Sequence, residues 1–133
     1  MEPMDLTTLA DHYGATNGPH AVLMINGQAV ALAMRRSKNC QAPSLDEPQS
    51  GEFWGSGGAL QLVENTALSL AQNPLPVWVM EDLTGGNLYN YLGTYSRAGI
   101  TTDLQRLEEA SFMRGNNQEP VVKIFKLQLV QQP

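Results

Sequence analysis

Cysteine is nearly missing from this chain of 133 residues: Cys40 stands alone, which excludes an internal disulfide framework. With only His12 and His20 to join it, no cluster has the spacing of a structural zinc site, so neither a metal nor another cofactor is expected. Basic side chains are sparse as well. Eight lysines and arginines against thirteen acidic residues leave a net charge of −5, which disfavours bulk electrostatic binding of nucleic acid, because phosphate contacts need cations. Any such contact has to be local. Long apolar runs are absent too. "AVLMI" and "AVALAM" fall far short of the roughly 20 residues that cross a bilayer, and the first residues lack the basic start of a signal peptide. Together these absences predict a cytoplasmic protein with no membrane contact.

What is present is the composition of a folded chain, with 42% hydrophobic and 16% charged residues. The length suits one domain over residues 1–133, burying roughly two thirds of its unfolded surface. "DLTTLADHY", residues 5–13, predicts a short helix with Asp5 at its start, Leu6, Leu9 and Tyr13 inward, and Gly14 ending it. "HAVLMINGQAVALAM", residues 20–34, predicts a β-hairpin around Asn26-Gly27, the dipeptide that best tolerates positive φ in a two-residue turn. Residues 35–51 carry two prolines and mixed charges without apolar periodicity, and predict a loop long enough to be functional.

Over residues 59–72, Leu60, Val63, Ala67, Leu70 and Ala71 recur at helical spacing while Gln61, Glu64 and Asn65 fall elsewhere, predicting an amphipathic helix. "VWVME" reads as a buried strand, "DLTGGN" as a turn, and "LYNYLGTYS" as a second strand pairing with the first, its Tyr89, Tyr91 and Tyr95 on one parity. Thr102 and Gln105 have capping-box spacing ahead of a short helix over residues 101–112. "EPVVKIFKLQLV" closes the chain as a long strand with Val121, Phe125, Leu127 and Leu129 on one face.

The candidate site centres on "GEFWGSGGALQLVENTAL", where Phe53 and Trp54 precede Gly55, Ser56, Gly57 and Gly58. The glycine run sits at the start of the expected helix, so unpaired backbone N–H groups there point at a place for an anion. It lacks the Gly-Lys-Ser/Thr ending of a P-loop and the spaced third glycine of a dinucleotide motif. A tight turn that needs glycine is the plain alternative, and core packing is the plain alternative for each aromatic. The aromatics otherwise offer a face on which a planar base can stack. For catalysis, Asp46 and Glu47 are adjacent carboxylates in an otherwise solvated loop, and Cys40 has only the distant His20 to activate it. No acid–base pair emerges, and a binding module rather than an enzyme is expected.

The order of motifs matters more than any one of them. "PHAVLMING", the aromatic-Gly-Ser-Gly-Gly turn, a helix holding Asn65-Thr66-Ala67-Leu68, "LPVWVME", "YNYLGTY" and "VKIFKLQL" follow one another across residues 19–130. This series resembles the SET-and-RING-associated (YDG) domain, in a small prokaryotic or phage-like form. The resemblance implies an α+β fold, a PUA-like β-barrel or crescent with flanking helices. It also implies a function: flipping 5-methylcytosine or 5-hydroxymethylcytosine out of double-stranded DNA into a pocket, beside a nuclease or other effector protein, and in a bacterium on the nucleoid.

By the same resemblance Phe53 stacks on the flipped base, Trp54 stands at a threonine position, and Gly55, Ser56, Gly57 and Gly58 surround the base and its phosphate. Asp46 or Glu47 is expected to take the base's amino edge, and Arg35, Arg36 and Lys38 the DNA backbone. The chain departs from the family where "MRRSKNCQAPSLDEPQSGE" replaces a segment with a second stacking tyrosine, where Tyr91-Leu92-Gly93 replaces Tyr-Asp-Gly, and where a long finger after Gly58 is missing. A domain of this shape that binds another small ligand or a partner protein without DNA is the alternative, and an enzyme acting on a flipped base is a third reading.

Overall fold

The computed structural model describes residues 1–81, 86–115 and 117–133. Among the described residues three helices and six strands follow one another as α1 (Leu6–His12), β1 (Val22–Ile25), β2 (Gln28–Arg35), β3 (Ser50–Ser56), α2 (Ala59–Leu70), β4 (Leu75–Met80), β5 (Asn90–Thr101), α3 (Leu104–Arg114) and β6 (Val121–Gln131). Asp5 caps α1, its carboxylate accepting from the Thr8 N–H at 2.7 Å. The β1–β2 hairpin turns at Asn26 and Gly27, with φ of 50° and 82°, as a two-residue primed turn demands. Helix α3 is capped by Asp103, whose carboxylate accepts from Arg106 N–H, one residue beyond the Thr102 expected from the capping-box spacing.

The strands form one sheet in the order β1-β2-β4-β5-β6-β3, antiparallel throughout except for the parallel pair β2–β4. Helix α2 packs against β1, β2 and β3, strands from opposite edges of that sheet. One helix can touch both edges only if the sheet curls around it, and the fold is α+β with a half-barrel. Inside the curl lies the main core, with Leu32, Met34, Val77, Val79, Tyr95 and Phe125 under Leu68 of α2. A second cluster around Trp78 is covered by Leu9 and Ala10 of α1, and a third, around Trp54 and Ile124, by Leu107 and Ala110 of α3. No helix among the described residues is long and apolar enough to cross a membrane.

Four expectations are corrected by this arrangement. The first half of the glycine turn belongs to a strand: β3 runs from Ser50 through Ser56 and pairs with β6, Phe53 opposite Phe125 and Trp54 opposite Ile124, so that Gly57 and Gly58 alone connect it to α2. Val121 leaves the Phe125 face because a bulge opposite Gly55 and Ser56 turns it to the Trp54 cluster. The three tyrosines do not share a face. Leu92 is the extra residue of a second bulge, so Tyr91 packs toward Trp78 while Tyr95 joins the main core.

Helix α2 carries the largest correction. Its buried residues are Glu64, Asn65, Ala67 and Leu68, whereas Val63 and Leu70, expected inward, are 56% and 72% exposed. The inward stripe is Gln61, Glu64, Asn65 and Leu68, also at helical spacing but largely polar. The expected turn "DLTGGN" falls mostly on residues 82–85, outside the described residues.

Candidate functional site

Strand alternation sends Phe53 and Trp54 to opposite sides of the sheet. Phe53 lies within the curl against Phe125, ring centroids 6.0 Å apart, and Trp54 lies under α3 with the Arg106 guanidinium over its ring at 5.8 Å. Both are buried. The two aromatics therefore do not form one wall, and the Trp54 ring belongs to the core beneath α3.

The glycines admit the protein's own chain. A Cβ on Gly55 would stand 2.3 Å from Asn65 Oδ1, so glycine there lets α2 approach β3 closely enough for Asn65 Nδ2 to donate to the Ser56 carbonyl at 3.0 Å. Gly57 lies against Val122, and at Gly58 a Cβ would meet the Glu119 carboxylate. That carboxylate accepts from the Gly58 N–H at 3.1 Å. An internal anion thus already occupies the first turn of α2, the place expected to receive a phosphate.

Where α2 crosses β3, a cavity of about 270 Å³ opens, and Phe53 borders it. Asn39, Glu64, Asn65 and Arg114, the four buried polar or charged residues among the described ones, all line it. Two of them staple the free edge of β3. Asn39 Oδ1 accepts from the Trp54 N–H at 2.7 Å, and Arg114 Nη2 donates to the Trp54 carbonyl at 2.7 Å. Arg114 also donates to the Lys38 carbonyl, Ser56 Oγ and the Glu119 carbonyl, tying the long loop, β3 and the chain after α3 together. Burial pulls its guanidinium below the ordinary arginine value, partly offset by Glu119 and Cys40.

Glu64 differs from the other three. Its Oε1 is buried and has no hydrogen-bond partner among the described residues. Burial raises its carboxyl above the ordinary value of 4.5, against the lowering effects of His20 and of a hydrogen bond from the Val22 N–H. Exposed Pro19, Arg35 and Lys38 and half-buried His20 also border the cavity.

The remaining expected site residues lie elsewhere. Asp46 and Glu47 are exposed on a separate hollow lined also by Arg36 and Glu81, so they do not face Phe53. Arg36 holds the loop to the sheet: Nη2 meets Glu81 Oε1 at 2.7 Å, and its other donors reach the Cys40, Ala42 and Pro43 carbonyls. That leaves Arg35 and Lys38 of the expected backbone-binding trio at the cavity. Glu64, Asn39 and Arg114 escaped the sequence reading. Glu64 and Asn65 share helical spacing with Gln61 and Leu68, a signal hidden by the stronger apolar stripe. Asn39 and Arg114 have no local signal, because their partners are 15 and 60 residues away.

Comparison with protein-family models, with curated proteins and with solved structures finds no match to this chain.

Proposed function

We propose that this chain is a PUA-like, non-catalytic reader of a modified cytosine, 5-methylcytosine or 5-hydroxymethylcytosine, which it receives flipped out of a DNA duplex. The reading rests on the cavity between α2 and β3, where Phe53 and four buried polar side chains surround about 270 Å³. That volume lies just below the roughly 300–1,000 Å³ of drug-sized sites and suits a single small ring. Arg35 and Lys38 beside it suit the flanking phosphates. The order of motifs across residues 19–130, which resembles that of the SET-and-RING-associated domain, supports the same reading.

With two exposed cations at the cavity, Arg35 and Lys38, and a net charge of −5, duplex binding is expected to be modest, with log K falling against log salt at a slope of about −2. The test is a panel of matched duplexes carrying cytosine, 5-methylcytosine, 5-hydroxymethylcytosine, its glucosylated form and N6-methyladenine. A preference for one modified cytosine, with the DNA chemically intact afterwards, supports the reading. Release of free base makes the protein an enzyme. The acidic balance favours one alternative, a domain that binds a small ligand without phosphates or a partner protein, and failure of every duplex to bind at low salt overturns the reader in its favour.

A further inference from the structure

We infer that Glu64 is the specificity-determining residue of this pocket, its Oε1 accepting a hydrogen bond from the exocyclic amino group of a 4-aminopyrimidine ring. The inference rests on the cavity's being a base pocket, and it transfers the amino edge from Asp46 or Glu47 to a residue on α2. A carboxylate oxygen closed off from water without a donor is costly, and an aliphatic side chain at this helix position would avoid that cost. The other buried polar groups of the cavity have partners within the chain: Asn39 holds Trp54 N–H, Asn65 holds the Ser56 carbonyl, and Arg114 holds three carbonyls and a hydroxyl. Glu64 Oε1 is the acceptor left over, and an amino group supplies the donor that it lacks. A 4-oxo ring such as thymine turns a second acceptor toward it and is repelled.

Glu64→Gln keeps the size of the side chain but replaces the carboxylate, which only accepts, by an amide whose NH2 end donates. With that end toward the cavity the pocket presents a donor where it presented an acceptor. The variant is therefore expected to abolish or reverse the preference between amino and oxo rings, an outcome that a merely structural role does not produce.

The experiment uses 5-methyl-2′-deoxycytidine and thymidine, which differ at the amino and oxo position, as free nucleosides followed by NMR titration. Both bases are also placed at one position of a duplex. Wild type is expected to favour the amino ring by about 10- to 100-fold, the range of one well-formed edge contact, and Glu64→Gln to abolish or reverse that ratio with unchanged circular dichroism. A folded variant that keeps the wild-type ratio, or a wild type that prefers thymidine, overturns the inference while leaving the duplex reading standing. Nucleoside discrimination without duplex binding upholds the role of Glu64 and overturns the DNA reading. Binding of neither overturns both.

Discussion

A buried carboxylate makes stability depend on pH with a predictable sign. Glu64 has its carboxyl raised above 4.5 in the folded chain, so folding favours its protonated form. Its stabilising contribution is complete below the unfolded value and is lost as pH rises through the folded one. As pH rises the fold carries a growing penalty for ionising a buried carboxylate. Glu64→Gln removes the charge, and its midpoint in urea is expected to exceed that of wild type at neutral pH, with the difference shrinking as pH falls to 4.5 and below. A difference that stays constant across this range places the carboxylate in water. The same substitution is expected to stabilise the fold and to spoil base discrimination, which is how a residue kept for binding behaves.

At the scale of elements, the approach of α2 to β3 creates the cavity, and it depends on one missing Cβ. Gly55→Ala puts a methyl 2.3 Å from Asn65 Oδ1 and forces Asn65 off the Ser56 carbonyl. The expected cost is about 1–3 kcal/mol, the usual size of overpacking in a tight core. In an Asn65→Ala background the same methyl has room, so its cost is expected to fall and the double-mutant cycle to be non-additive. Additive energies show that α2 and β3 are not coupled through this contact. The local signals for both elements were plain: α2 begins at Ala59 as its apolar spacing requires, and Asp5 and Asn26-Gly27 mark their helix and hairpin. The phase of α2 was not legible. Leu60, Val63 and Leu70 belong to the stronger apolar stripe, yet they are 44%, 56% and 72% exposed, because Gly55 and the Ser56 carbonyl draw the polar stripe inward instead.

For the whole molecule, the question is how an acidic chain holds a local basic rim. The loop after β2 contributes Lys38 to the cavity, and Arg36 anchors that loop to Glu81, the residue that follows β4. The loop is pinned further along, where Tyr95 donates to the Pro48 carbonyl, its hydroxyl pushed up to about 12 by burial. These two residues are expected to respond differently to truncation. Lys38→Ala should lower the salt slope of duplex binding by about one and weaken modified and unmodified DNA alike, with little loss of stability. Arg36→Ala should lower the melting temperature and leave the slope unchanged, since its guanidinium is spent inside the chain. A reduced slope for Arg36→Ala restores that residue to the phosphate role first expected from the sequence.

By itself, the sequence determined everything written in neighbouring residues: the Asp5 cap, the Asn26-Gly27 turn, the start of α2 after its glycines, and the pairing of β4 with β5. The cap, the turn and the helix start each depend on residues a few positions apart, and β4 and β5 are neighbouring strands along the chain, so pattern and propensity suffice. Tertiary structure alone decided the side-chain faces. One extra residue at each bulge, opposite Gly55 and Ser56 and again at Leu92, reverses strand parity for Val121 and Tyr95, and no local signal marks it. Tertiary structure also decided the site. Phe53 and Trp54 are adjacent in the chain but diverge across the sheet, while Asn39, Glu64 and Arg114 are distant in the chain but converge on one cavity. What brings them together is the curling of the sheet around α2, and the buried acceptor of Glu64 acquires its meaning only inside that enclosure.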